Sequence, residues 1–258
     1  MAEYLVVCAV AFLASGLTFF SGFGLGTLLL PAFALFFPVD RAVALTGVVH
    51  FLNGFFKLML VWRHVDVRVA LRFGIPAIAA SFFGALLLVE FADAPALASY
   101  SIAGRPAAIT PAKLIVGLLL LVFAVAEFAA ILPSKGFPAR YQPLGGLLSG
   151  FFGGMAGMQG ALRSAFLIRA GLSKEAFIAT GTAIAFVIDV SRLAVYSRAF
   201  ARHHALIDYP LLVAAVAFAF AGAWLGNRYL HKVALTSVQR VVAFMLLLVA
   251  FGLISGLL

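Results

Sequence analysis

The sequence predicts an all-α polytopic membrane protein with two repeats of four helical segments, the first segment of each repeat broken or re-entrant at a glycine-rich stretch. Three observations predict it. Hydrophobic residues make up 65% of the 258 and charged residues only 10%, where a soluble chain carries about a quarter charged. The apolar residues fall into eight runs, at 4–37, 41–62, 68–91, 112–132, 141–170, 174–197, 206–230 and 239–257. The first and fifth runs are too long for one crossing, and glycines interrupt both.

The first run sets the argument. As one straight helix, residues 4–37 would measure roughly 51 Å against a hydrocarbon core of about 30 Å. The chain is expected to break at Gly22, Gly24 and Gly26, inside Ser21-Gly22-Phe23-Gly24-Leu25-Gly26-Thr27. Non-helical backbone at membrane depth is tolerated only where it is buried in protein or lines a cavity. Many transporters build their sites that way. The fifth run carries its own tract, Gly153-Gly154-Met155-Ala156-Gly157-Met158-Gln159-Gly160, with Gly153, Gly154, Gly157 and Gly160 as the expected break.

The two halves repeat at an offset of 134. Ser15-Gly16 falls on Ser149-Gly150, Gly26 on Gly160, Ala42 on Ala176, and Thr46-Gly47 on Thr180-Gly181. The expected division is an N-terminal repeat, 1–132 (broken helix 4–37; helices 41–62, 68–91 and 112–132). The C-terminal repeat is 141–258 (broken helix 141–170; helices 174–197, 206–230 and 239–257). Residues 92–111, rich in Ala and Pro, read as a solvent-facing loop.

Charge counting discriminates between topologies. If all eight runs cross once, the loop Lys and Arg divide eight against seven, which gives no orientation. If runs one and five are hairpins, they divide ten against five. The hairpin arrangement alone satisfies the positive-inside rule, makes the repeats inverted, and places both termini outside. The net charge of +9 is scattered at the ends of apolar spans, so it anchors topology and does not mark a nucleic-acid surface. Residues 1–20 lack a basic n-region and run on without a cleavage site, so they read as mature protein. The single cysteine, Cys8, excludes an intramolecular disulfide and reads as a small core residue.

Gly22-Phe23-Gly24-Leu25-Gly26-Thr27-Leu28-Leu29-Leu30-Pro31 resembles the glycine-rich first-span motif of the TauE/SafE sulfite exporter family, a G-x-G-G-G stretch followed by a short apolar run and Pro. Ala179-Thr180-Gly181-Thr182-Ala183 resembles the family's A-x-G-T-S motif, and the basic turn with Val65-Asp66 is also similar. The resemblance covers essentially the whole chain. The sequence departs from the pattern at Leu25, at Gln159, at Ala165 in place of a proline, and at Ala44-Leu45-Thr46-Gly47. The resemblance implies a plasma-membrane carrier of small sulfur-containing anions, sulfite or an organosulfonate such as sulfoacetate.

Intramembrane polar residues are costly and tend to face a pathway. Thr46, His50, Asn53 and Lys57 are spaced by four, three and four, so they share one helical face. In the sixth run Asp189 and Arg192 stand at i and i+3, with Tyr196 at i+7. A purely structural Asp189–Arg192 pair is the alternative to a site there. Gln159 and Arg163 follow the second break, where a new helix N-terminus would offer free N–H groups and a favourable dipole to an anion. Arg163 would add a bidentate fork. Thr27 and Thr182 are further hydroxyl donors. His50, Asp189 and Glu127 are the candidates for ion coupling, and His50 is the one whose residue type titrates near neutrality. The remaining histidines, His64, His203, His204 and His231, lie at span ends.

No G-x-x-x-x-G-K-[ST] appears, so the chain carries no nucleotide-hydrolysing motif. It also lacks His-Glu-x-x-His, and its Ser149 has no nucleophile context, so no enzyme is read. A metal-cation permease needs facing Asp, Glu, His or Cys ligands, and the interior here is more cationic than anionic. Secondary transport of a small anion by alternating access is therefore the leading reading, with a metal permease or an anion channel as alternatives. No cofactor, metal or nucleic acid is expected. The partners are the anion and the lipid bilayer, with a homodimer open.

Overall fold

A computed structural model describes residues 1–17, 24–102, 105–128, 136–202, 208–229 and 235–258. Ten α-helices and one small hairpin lie within them. The first run splits into α1 (Ala2–Leu17) and α2 (Leu25–Ala34). Next come α3 (Val39–Val61) and α4 (Val67–Ala92). A hairpin of β1 (Ala98–Ile102) and β2 (Arg105–Ile109) precedes α5 (Pro111–Phe128). The fifth run splits into α6 (Gln142–Ala156) and α7 (Gly160–Leu167). The chain ends with α8 (Lys174–Arg202), α9 (Tyr209–Tyr229) and α10 (Leu235–Ile254). Among the described residues, α3, α4, α8 and α9 are each long and apolar enough to cross a membrane. Large apolar side chains such as Phe83, Val122, Val213 and Phe251 stand fully outward, as a lipid-facing surface requires.

Both breaks are made by glycine in the left-handed region. Gly24 stands before α2 at φ 116°, and Gly157 closes α6 at φ 74°. A side chain there would clash with the backbone, so glycine is the residue that lets the helix stop. Gly160 opens α7 and Gly26 is the second residue of α2. Gly22 lies outside the described residues. Gly153 and Gly154 are not part of the break; they lie inside α6.

Those two glycines belong to packing. Gly146, Gly150 and Gly154 follow one another at i+4, and a Cβ on any of them would overlap the carbonyl of Phe73, Ala77 or Ser81 on α4. Helices α4 and α6 therefore meet backbone to backbone, as small-residue stripes allow in membranes. Gly222 and Gly226 do the same for α9 against Phe12 and Gly16 of α1.

Helix α7 turns back along α6. Gly145, near the start of α6, lies against the ring of Phe166 near the end of α7. Ser149 Oγ donates to the Gln159 carbonyl at 2.8 Å. Near the end of α7, Phe166 stacks on Phe137, which precedes α6, at 4.3 Å between centroids, and Phe137 N donates to the Ala165 carbonyl at 2.9 Å.

The stretch expected to be a loop, 92–111, holds an antiparallel hairpin pairing Ala98 with Ile109 through Ile102 with Arg105. It closes over the end of α10. Ala108 N donates to the Gly256 carbonyl at 3.3 Å, and Tyr100 Oη donates to the Ser255 carbonyl. Lys113 Nζ bridges the carbonyls of Ala108 and Gly256 at 3.0 and 3.4 Å.

Candidate anion-binding site at the helix breaks

Four elements bring the site together. Gly26 at the start of α2 lies against the Gly157 carbonyl of the other break and against His50 on α3. The positions a Cβ would take on Gly157 and on Gly47 of α3 are 3.0 and 3.6 Å from Arg192 Nη1 of α8. The two breaks and the facing helices α3 and α8 thus converge on one guanidinium.

Arg192 and Asp189 are both completely buried. Asp189 Oδ1 accepts from Arg192 Nε at 2.9 Å and from Gln159 Nε2 at 3.1 Å. Its Oδ2 meets His50 Nδ1 at 2.5 Å. Gln159 in turn accepts from Arg163 Nη1 at 3.2 Å, so α3, α7 and α8 share one polar chain. Arg192 Nη1 donates to the Gly153 carbonyl at 3.4 Å, and Tyr196 Oη donates to the Gly154 carbonyl.

Two buried donors are left over. Arg192 Nη2 sits 2.8 Å from Asp189 Oδ1, but off the line a hydrogen bond needs, and meets no other acceptor among the described residues. Thr46 Oγ1, one turn before His50 on α3, also has no hydrogen-bond partner among them. A buried polar group without a partner costs about 1–3 kcal/mol. Native structures leave few such groups, and each calls for an explanation. The N-terminus of α2 adds to this. No side chain caps it, and no side chain caps α7. Both ends present backbone N–H groups and the positive end of a helix dipole.

The other expected residues divide. Asn53 and Lys57 form a second polar group with α1. Ser15 Oγ donates to Asn53 Oδ1 at 3.0 Å, and Lys57 Nζ donates to the Ser15 carbonyl at 3.4 Å. Thr27 Oγ1 donates to the Gly24 carbonyl at 2.9 Å, so it braces the first break. Thr182 Oγ1 donates to the Ile178 carbonyl one turn back in its own helix, at 2.8 Å. The side chain of Glu127 lies outside the described residues. Unforeseen contributors are Ser149, which ties α6 to the second break, and Gly47, which lies against Arg192 and Leu193.

The model of the family described as sulfite exporter TauE/SafE matches residues 7–253. The chain belongs to that family. TauE/SafE proteins are transporters and not enzymes, so the protein is a multi-pass membrane protein of a transport family. No curated protein matches the chain. In this TauE/SafE chain, the glycine-rich first run supplies Gly24 and Gly26 to the break beside His50.

Proposed function

We propose that the protein is a secondary transporter that carries a small sulfur-containing anion, sulfite or an organosulfonate such as sulfoacetate, across the plasma membrane by alternating access. The observation that carries the reading is the buried Arg192 at the meeting of the two breaks, with Nη2 and the neighbouring Thr46 Oγ1 making no hydrogen bond among the described residues. A planar guanidinium with a spare donor, a hydroxyl and an uncapped helix N-terminus suit an oxyanion. Family membership points to sulfur as its centre.

Inverted repeats with re-entrant first segments fit the contacts. Asp66 N donates to Thr180 Oγ1 at 2.9 Å, which puts the turn after α3 beside the start of α8. The hairpin after α4 sits on the end of α10. Both contacts join loops that eight single crossings would leave on opposite sides, and that two hairpin segments leave on the same side. The packing is also reciprocal: α1 of the first half lies on α9 of the second, and α6 of the second on α4 of the first. The side bearing ten loop cations is then cytoplasmic.

The test is thermal stabilisation of the purified protein by sulfite, sulfate, thiosulfate, sulfoacetate, isethionate, taurine, acetate and nickel. A ligand of the native state raises the melting temperature by mass action. Stabilisation by a sulfur oxyanion, weakened in Thr46→Val and in Arg192→Gln, is expected. Stabilisation by nickel alone would overturn the reading.

A further inference from the structure

We infer that the site takes a singly charged oxyanion in preference to a doubly charged one, and that Arg163 supplies the charge that sets this limit. The inference rests on the anion-carrier reading above and narrows its substrate class to hydrogen sulfite and to sulfonates with no second ionised group. Sulfoacetate, which carries a carboxylate besides its sulfonate, is then the weaker ligand.

Three charged side chains are buried among the described residues: Arg163 at 3% exposure, and Arg192 and Asp189 at 0%. One chain of hydrogen bonds joins them. Arg192 Nε donates to Asp189 Oδ1 at 2.9 Å, and Gln159 Nε2 donates to the same oxygen at 3.1 Å. Arg163 Nη1 donates to Gln159 Oε1 at 3.2 Å. The Gln159 amide links the two ends without adding a charge. Asp189 cancels one guanidinium, so the group holds one net positive charge. A bound monoanion brings the sum to zero. A bound dianion leaves one negative charge over, where burial makes it expensive.

The two guanidiniums divide the work. Arg192 Nη2 and Thr46 Oγ1 make no hydrogen bond among the described residues, so they are the donors that meet the anion. Arg163 stands one amide away and acts through its field, which a buried setting screens weakly. The other ionisable groups near the chain are neutral, exposed or placed elsewhere. The Tyr196 hydroxyl donates to the Gly154 carbonyl. Lys57 is half-buried and belongs to the separate group with Asn53 and Ser15. Helices α2 and α6 carry no ionisable side chain, and Arg68, Arg72 and Glu90 on α4 are exposed. His50 faces Asp189 Oδ2. Imidazoles are ordinarily neutral at about pH 8, which is therefore the pH of the test.

The experiment uses the full chain in vesicles of phosphatidylethanolamine and phosphatidylglycerol, with labelled isethionate and labelled sulfate as probes. Exchange of each labelled anion for the same unlabelled one at equal concentrations reads the carrier itself. Competition against isethionate exchange by methanesulfonate, sulfate and sulfoacetate reads affinity. Methanesulfonate and sulfate are both tetrahedral and of similar size, and sulfoacetate resembles isethionate apart from its carboxylate, so each pair isolates charge. In the wild type the singly charged member of each pair is expected to bind at least about tenfold more tightly. Arg163→Gln should weaken isethionate binding by about tenfold or more, and Arg163→Lys, which restores the charge, should recover most of it. A doubly charged anion that competes as well as its singly charged counterpart, or exchange of sulfate alone, overturns the charge limit and leaves the carrier standing. Unchanged isethionate binding in Arg163→Gln overturns the role of Arg163. Exchange of neither probe overturns the carrier reading and this inference with it. The wild-type comparison decides the charge limit even if the variants fail to fold.

Discussion

Removing Asp189 should destabilise the protein more than removing Arg192, although the two form one ion pair. At 2.8 Å the pair attracts by about 6 kcal/mol for an effective dielectric of about 20. Much of that is offset by desolvation, and breaking one partner of a buried pair typically costs about 3–5 kcal/mol. The partners are unequal. Asp189→Asn leaves Arg192 with no carboxylate in reach among the described residues, so a loss of about 4 kcal/mol is expected. Arg192→Gln leaves Asp189 with His50 at 2.5 Å and Gln159 at 3.1 Å. Its loss should be nearer that of one charged hydrogen bond, about 2 kcal/mol. The double variant should lose about 3 kcal/mol, well below the sum, because no charge is left stranded. Melting in detergent checks this, at about 2–4 °C per kcal/mol for a chain of this size. Equal losses in the two single variants, or strictly additive ones, would refute the reasoning.

Four further outcomes follow from the packing and the site. Gly150→Ala should cost about 1–3 kcal/mol, since its Cβ would overlap the Ala77 carbonyl. Gly54→Ala should be neutral or stabilise by up to about 1 kcal/mol, because nothing lies within 4 Å of its Cβ position in α3; melting temperatures distinguish the two. Thr46→Val removes a buried hydroxyl without a partner among the described residues. It should leave stability unchanged or raised, and weaken anion binding by roughly tenfold, the worth of one hydrogen bond. Titrating the melting shift with anion reads both effects. Gly157→Ala forces a side chain into φ 74° and within 3.0 Å of Arg192 Nη1. A loss of about 1–2 kcal/mol is expected from the backbone alone, and an anion titration should show weakened binding as well.

Length against bilayer thickness made the two breaks legible, because no continuous helix of either run fits the hydrocarbon core. Which glycines bend within 153–160 was harder to read. Phase does not separate them, because Gly157 stands at i+7 from Gly150, on the same helical face; Gly146, Gly150 and Gly154 stay helical and pack on α4, while Gly157 takes φ 74° and turns the chain. The stripe Thr46, His50, Asn53 and Lys57 was legible as one helical face. Its division was not, because His50 finds Asp189 139 residues away whereas Asn53 and Lys57 find Ser15. Partners so distant leave no local trace in the sequence. The hairpin at 98–109 is similar: its alternation is short and weakly apolar, and it is held by the end of α10.

The bend and the buried charges satisfy one another. Helix α6 ends at Ala156, so its last-turn carbonyls lack some of their intrahelical donors. Gly154 is one of these, and its oxygen accepts from Tyr196; the Gly153 oxygen accepts from Gly157 N at 3.0 Å and also from Arg192 Nη1. The same bend delivers Gln159 to Asp189 and Arg163 to Gln159. Continuing α6 straight through Gly157 would return the Gly154 carbonyl to the helix ladder and withdraw Gln159 from the carboxylate. Tyr196 and Asp189 would each lose a partner, in a setting where unpaired polar groups are expensive. The glycines therefore do more than shorten a span: the bend they make leaves a backbone acceptor for Tyr196 and brings a Gln159 donor to the carboxylate that pairs with the buried Arg192 guanidinium.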